Sequence, residues 1–206
     1  MHEKHERKES NMKSAICLAL AFFTASMPFC LAAGQAANPV VIIETSMGNI
    51  TVELFQDKSP KTVENFLAYV QAGFYKGTIF HRVIKGFMVQ CGGYTVDLSR
   101  KNTRPAIPNE AKNGLSNVRA TLAMARYDDP NSATSQFFIS TVNNNRLDYP
   151  AHNGGYAFFG KVIDGMAVVD KIEAVPTETK GQIQNVPTKP IVIKDIRLKG
   201  EAKQSE

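Results

Sequence analysis

Apolar and polar positions alternate, or cluster in short runs, over most of the chain, and a helical rhythm surfaces in only two places. Residues 40–45 and 50–55 are rich in β-branched side chains and flank Met47-Gly48-Asn49, the pattern of a β-hairpin. Ser59-Pro60 then supplies a helix N-cap followed by proline at the first helical position. Val63, Phe66, Leu67 and Val70 fall at i, i+3, i+4 and i+7, one apolar helical face, and Gly73 ends that helix. The middle of the chain predicts only short strands, over 79–84, 87–90, 120–125, 136–140 and 156–162. Asp164-Gly165 opens a second helix with Met166, Val169 and Ile172 on one side. Ile191 and Ile193, followed by Ile196 and Leu198, predict a closing strand that shifts face between the pairs. The pattern predicts a mainly β fold, an antiparallel barrel plugged at its ends by two α-helices. Segments 95–115 and 143–155, rich in Asn, Pro and Gly, are long loops.

A length of 206 residues suits one domain, and 43% hydrophobic residues can furnish its core. Residues 1–36 hold four of the 24 Lys/Arg and three of the 19 Asp/Glu, leaving 20 cations against 16 anions for the remainder. That surplus is spread along the chain, with no basic block interleaved with aromatics, which argues against nucleic-acid binding. Lys13, the apolar run 15–25 and the small residues 32–37 read as a secretory signal peptide. An uncleaved membrane anchor is the competing reading, because apolar character persists to Ala33. Pro28, Ser26 and the small-residue exit favour cleavage, between Ala33 and Ala37. The charged segment 1–11 does not suit a leader, which points to Met12 as the true start. The division expected is therefore 1–36 as leader and 37–206 as the functional domain, periplasmic and free of the membrane after cleavage. Cys17 and Cys30 would leave with the leader, so Cys91 remains alone, a buried inert thiol rather than a disulfide partner.

The densest run is Phe80-His81-Arg82-Val83-Ile84-Lys85-Gly86-Phe87-Met88-Val89-Gln90-Cys91-Gly92-Gly93. It sets a permanent cation and an amide beside two large apolar side chains, with no nucleophile, carboxylate base or metal cluster. Such equipment can grip a small apolar ring and polarise an amide without breaking it. The two histidines beyond residue 36, His81 and His152, and Cys91 give no zinc spacing. His81 reads as a satisfied, inward-pointing strand residue rather than a general base. Ser135 lacks the strand–turn–helix elbow of a nucleophile, and Gly92-Gly93 and Gly154-Gly155 read as turn or bulge glycines.

The run resembles the signature of the cyclophilins, a family of peptidyl-prolyl cis–trans isomerases, and in particular the short cyclophilins exported to the bacterial periplasm. The likeness continues through residues 120–125, Ser135-Gln136-Phe137-Phe138-Ile139, Leu147-Asp148 and Phe159-Gly160-Lys161-Val162, in family order. It implies a closed eight-stranded antiparallel barrel with its groove on the outer face, walled by the long loops. It implies catalysis by Arg82 with Gln90, a proline pocket of Phe87, Met88, Phe138 and Leu147, and polar orientation by Gln136. Ala125 and Arg126 would contribute mostly backbone, and Tyr156 stands where many members place His. No cofactor and no metal are implied. The implied partners are Xaa-Pro polypeptides, with folding of exported proteins as the role and a monomer as the expected state. Arg146 stands where many eukaryotic members carry a Trp that helps bind cyclosporin, which implies reduced affinity for that drug. The rival readings are a non-catalytic proline-peptide-binding module or holdase, and a lipocalin-type hollow barrel; the Phe, Ile and Val of the short strands argue for a filled interior.

Overall fold

A computed structural model describes residues 37–201; the expected leader over 1–36 lies outside the described residues, as do 202–206. The chain runs β1 (Val40–Thr45), β2 (Gly48–Leu54), α1 (Pro60–Gln71), β3 (Arg82–Ile84), β4 (Met88–Cys91), β5 (Thr121–Met124) and β6 (Phe137–Ser140). A 3-10 turn (Asn145–Leu147) and the short α2 (Ala151–Gly154) follow, then β7 (Phe158–Asp164), α3 (Met166–Glu173), β8 (Thr177–Lys180), β9 (Ile183–Pro187) and β10 (Ile193–Leu198). Eight strands form one antiparallel sheet in the order β10-β1-β2-β7-β5-β6-β4-β3, and β8 pairs with β9 in a separate hairpin. Each of the eight strands expected from the sequence is in this sheet.

The sheet is curled, but the closed ladder expected from the sequence is not formed, because β3 and β10 remain edge strands. Their seam is spanned only by neighbouring backbone: Phe80 N–H to Ile191 O at 3.0 Å, Ile193 N–H to Thr78 O at 2.7 Å and Gly77 N–H to Ile193 O at 2.9 Å. β9 packs against β3, the edge to which β10 would need to pair. Register shifts in the pairs β1–β10, β2–β7 and β5–β7 add the local twist that curls the sheet. The first is the shift of face read from the sequence: with Glu44 opposite Asp195 and Thr45 opposite Ile193, Lys194 is extra, and Ile193 and Ile196 both point inward.

Strand alternation sends Val41, Ile43, Ile50, Val52, Val89, Leu122, Phe137 and Ile139 to the concave side, where they bury fully. α1 adds Val63, Phe66 and Val70, and α3 adds Val169 and Ile172, so the interior is filled rather than hollow. The aromatic ring of Phe66 sits 5.3–5.4 Å from those of Tyr75, Phe137 and Phe159. Each such side chain stabilises the fold by about 1.5–3 kcal/mol through burial.

The ends of α1 differ from the sequence expectation at one side and match it at the other. Ser59 does not cap the helix with its side chain; its hydroxyl donates to Phe158 O at 2.8 Å, tying the helix to β7. The orphan N–H groups are taken by Glu110, from the 95–115 loop, which accepts from Lys61 N (3.2 Å), Thr62 N (2.8 Å) and the Thr62 hydroxyl (2.7 Å). At the other end Gly73 has φ +60, and Gly73 N–H and Phe74 N–H bond back to Val70 O and Tyr69 O. That is the left-handed closure glycine permits without a Cβ penalty.

Candidate active site

β3, β4, β6 and β5 carry one row of paired residues on the convex face: Arg82 opposite Gln90, Gln90 opposite Phe138, and Phe138 opposite Ala123. The next strand positions, Val83, Val89, Phe137 and Leu122, face the main core. A period of two therefore separates core from site along every one of these strands. Met88, Ala123, Phe138 and Leu147 form a second buried apolar cluster, joined by half-buried Ile84, Phe87, Ala125 and Tyr156. Phe138 and Tyr156 meet edge to face at 5.7 Å.

Two lobes of a groove open over this cluster and share Arg82, Gln90, Ala125 and Arg126. The apolar lobe, of about 520 Å³, is lined by Phe87, Met88, Phe138, Leu147, Tyr156, Arg146 and His152 besides the shared residues. The polar lobe, of about 390 Å³, is lined by His81, Tyr94, Tyr127, Ser132, Thr134, Gln136 and the hairpin residues 182–185. All ten site residues expected from the sequence line one lobe or both. Gln136 is confined to the polar lobe, which fits its expected orienting position.

The polar side chains are chained together. Arg82 Nη1 donates to Gln90 Oε1 at 3.1 Å, and Gln90 Nε2 donates to Gln136 Oε1 at 2.9 Å. A Cβ on Gly93 would sit 2.5 Å from the Gln136 side chain, so only glycine leaves room for this relay. Burial lowers the Arg82 pKa, partly opposed by the Tyr156 phenol, but a guanidinium stays charged throughout the physiological range. Among the described residues Gln90 is the only hydrogen-bond partner of Arg82, which leaves most of its donor fork free.

Arg126 departs from the expectation that it contributes mainly backbone. Its guanidinium donates to the carbonyls of Gly155 (3.0 Å), Tyr127 (2.7 Å), His152, Asn153 and Asp128, and lies 4.6 Å from the Tyr156 ring centroid. It is a strut joining the 125–128 segment to the turn after the 3-10 element. That turn holds His152 and Asn153 at φ 45 and 52, left-handed conformations that these residue types tolerate. The 95–115 loop does not wall the groove as expected; it braces the walls. Asn109 Nδ2 donates to Gly154 O and Gly155 O, each at 3.1 Å, and Arg100 Nη2 bonds the Tyr127 hydroxyl at 2.5 Å. Asp148 anchors the Leu147 wall by accepting from Ser116 Oγ, Asn117 N and Asn117 Nδ2.

Ser135 is buried and donates to Gly92 O at 2.8 Å, a structural bond. Burial pushes the Cys91 thiol well above its ordinary pKa, as an inert core residue requires. His81 is buried with its ring tilted against that of Tyr94, centroids 4.6 Å apart, but it is not the satisfied residue expected: its Nδ1 has no partner. Burial is the main cause that lowers its pKa to about 4, opposed by the Ile79 backbone and the Gln136 side chain and assisted by the charges of Arg82 and Arg100.

The His81 shift makes a pH prediction. Between about pH 6.5 and about pH 4 the unfolded chain binds a proton that the folded chain refuses, so stability is full above this window and declines as pH falls through it. The expected decline is on the order of 3 kcal/mol across the window. Urea unfolding from pH 7 to 4 should show a shallower slope for His81→Asn than for the parent; parallel slopes would contradict the assignment.

Residues 40–198 match the family model described as cyclophilin type peptidyl-prolyl cis-trans isomerase/CLD. The chain belongs to the cyclophilin family. It is 52% identical to a peptidyl-prolyl cis-trans isomerase of Acinetobacter baylyi over 82% of this chain and 90% of that protein. It is 54% identical to peptidyl-prolyl cis-trans isomerase A of Dickeya dadantii (77% and 83% covered) and 48% identical to isomerase B of Escherichia coli K12 (77% and 99% covered). Among solved structures, a Cryptosporidium parvum cyclophilin superposes with a TM-score of 0.67 at 32% identity, covering 80% of this chain and 99% of that one. The same parasite cyclophilin was solved in the presence of the dipeptide Ala-Pro (TM-score 0.66, 33% identity, 79% and 99% covered). In this cyclophilin the row Arg82–Gln90–Phe138–Ala123 brings family motif residues from three separate sequence blocks onto one face.

Proposed function

We propose that this cyclophilin catalyses cis–trans isomerisation of Xaa-Pro bonds in the groove, with Arg82 as the catalytic donor. The single observation that carries the reading is a charged fork, aimed by Gln90, beside an apolar cluster that floors one lobe of the groove. Rotation about a peptide bond must break amide resonance, a barrier of about 18–20 kcal/mol. The two Xaa-Pro isomers differ by only about 0.5–1 kcal/mol, so no covalent step is needed. In the twisted state the prolyl nitrogen becomes pyramidal and regains a lone pair. A donor placed against that lone pair binds the twisted state more tightly than either planar one, which is what raises the rate. Phe87, Met88, Phe138 and Leu147 would hold the pyrrolidine ring, while Gln90 and Gln136 fix Arg82 and the substrate backbone. A protease-coupled assay on an Xaa-Pro peptide tests this: acceleration over the spontaneous rate supports it, and an unchanged rate refutes it.

The export role rests on the leader-like segment 1–36 and gives a second test. Mature protein from a Gram-negative host should begin between Gly34 and Asn38 and appear in the periplasmic fraction. An intact mass that retains 12–33 in a membrane fraction would contradict export with cleavage. Folding assistance to exported polypeptides follows from that location, since slow Xaa-Pro isomerisation limits their folding.

Cyclosporin should bind weakly. Arg146 lines the apolar lobe with its guanidinium 4.7 Å from the Phe87 ring centroid, at the position where the resemblance places Trp in drug-sensitive members. It lacks the flat indole and its N–H donor. Arg146→Trp should tighten the drug by an order of magnitude or more, about 1.4 kcal/mol; equal affinity in both forms would remove Arg146 from the drug's footprint.

A further inference from the structure

We infer, building on the isomerase reading, that the groove prefers polypeptides with a carboxylate side chain beside the proline, and that Arg146 is the residue that reads it. The two lobes are lined by three arginines, Arg82, Arg126 and Arg146, and by no Asp or Glu. Elsewhere on the described surface two arginines are neutralised, Arg119 by both oxygens of Asp170 at 2.8 and 2.9 Å and Arg197 by Glu44 at 3.2 Å, whereas Arg100 bonds the Tyr127 hydroxyl and lies over the Tyr94 and Tyr127 rings. In the groove, Arg82 is bonded to a neutral amide and Arg126 to neutral carbonyls, and neither makes an ion pair among the described residues. Arg146 is exposed and, among the described residues, has no carboxylate partner; its one neighbour of note is the Phe87 ring.

Carboxylates on adjoining segments are already engaged. Asp148 is held by Ser116 and Asn117, and Glu173 accepts from Gly86 N–H at 2.8 Å. Asp128 lines an adjoining recess with Arg126, His152, Asn153 and Tyr156, so its carboxylate neighbours Arg126 and not Arg146. The contact with the Phe87 ring places the Arg146 guanidinium on the wall of the apolar lobe, and a planar fork donates two parallel hydrogen bonds to a carboxylate. Like-signed charges with no counter-charge between them also repel a cationic side chain, so the discrimination has an attractive and a repulsive part.

The test is a set of end-blocked proline peptides, identical except for Glu, Gln or Lys at the residue before or the residue after proline. Blocking the ends ensures that a side-chain carboxylate, not a terminal one, is read. For the parent enzyme kcat/KM should favour Glu over Lys by about three- to tenfold at low salt, in at least one of the two positions. The ratio should shrink in about 0.5 M NaCl, where screening is strong. It should approach one in Arg146→Gln and invert in Arg146→Glu, each ratio being taken against the Gln peptide on the same variant so that overall turnover cancels. Equal rates for Glu and Lys in both positions, or a Glu preference that survives Arg146→Glu, would overturn the inference. Failure to turn over any peptide would instead refute the isomerase reading, and Kd values for the same peptides would still decide the carboxylate preference.

Discussion

Arg82→Ala is expected to lower kcat/KM by about a hundredfold or more, the scale set by loss of one well-placed donor to a developing lone pair. Folding should survive, because Arg82 is half-buried on an edge strand and its side chain faces the groove rather than the main core. Affinity for a proline peptide should change only a few-fold, since the apolar cluster that holds the ring is untouched. A loss in kcat with little change in binding is the signature of an interaction made mainly in the transition state. Arg82→Lys should fall between: it keeps the charge but loses the planar fork that Gln90 aims. Near-parental efficiency in a folded Arg82→Ala protein would remove Arg82 from catalysis.

Phe137 and Phe138 are neighbours in sequence with opposite destinations, and truncating each should give opposite phenotypes. Phe137 is fully buried in the main core, 5.4 Å from Phe66 and 5.6 Å from Tyr75. Phe137→Ala should cost about 3–5 kcal/mol of stability, the burial plus the cavity left behind, with activity per folded molecule retained. Phe138 belongs to the outer cluster beside Tyr156, where the vacated space opens to solvent. Phe138→Ala should cost less stability but lower kcat/KM by about tenfold or more, since burying such a ring is worth about 1.5–3 kcal/mol and each 1.36 kcal/mol is a factor of ten. Chemical unfolding and kinetics on the two variants decide it. A Phe138→Ala enzyme of normal activity per folded molecule would defeat the pocket assignment.

The same pair of phenylalanines marks how far the amino-acid sequence alone is legible. Alternation along 79–84, 87–90 and 136–140 identifies strands, and the resemblance to the family names the residues on their outer faces. Alternation alone does not say that Met88 and Phe138 form a cluster separate from Val89 and Phe137, because burial does not distinguish two sides of one sheet; only the resemblance sets them apart. The β8–β9 hairpin has no comparable signal, because Thr177–Lys180 is polar and largely exposed and gives no apolar alternation. Yet its turn and the start of β9 supply residues 182–185 to the polar lobe. Strand number suggests a closed barrel, but pairing of the last edge depends on long-range geometry that no local pattern encodes. Ser59-Pro60 has the composition of a cap, yet the N–H groups go to a carboxylate 48 residues beyond Thr62 in sequence. The Arg126 strut depends on carbonyls gathered by a left-handed turn at His152 and Asn153, residue types that tolerate that conformation without dictating it.

The central claim, that the groove twists a prolyl bond rather than merely holding it, is tested most directly by NMR exchange on an Xaa-Pro peptide with catalytic amounts of the protein. Spontaneous exchange takes tens to hundreds of seconds, too slow to connect the cis and trans resonances. The account predicts exchange cross-peaks between the two isomers with the parent protein and their near-disappearance with Arg82→Ala. Peptide resonances that shift on binding, with no exchange between cis and trans, would contradict it and leave a proline-binding module in its place.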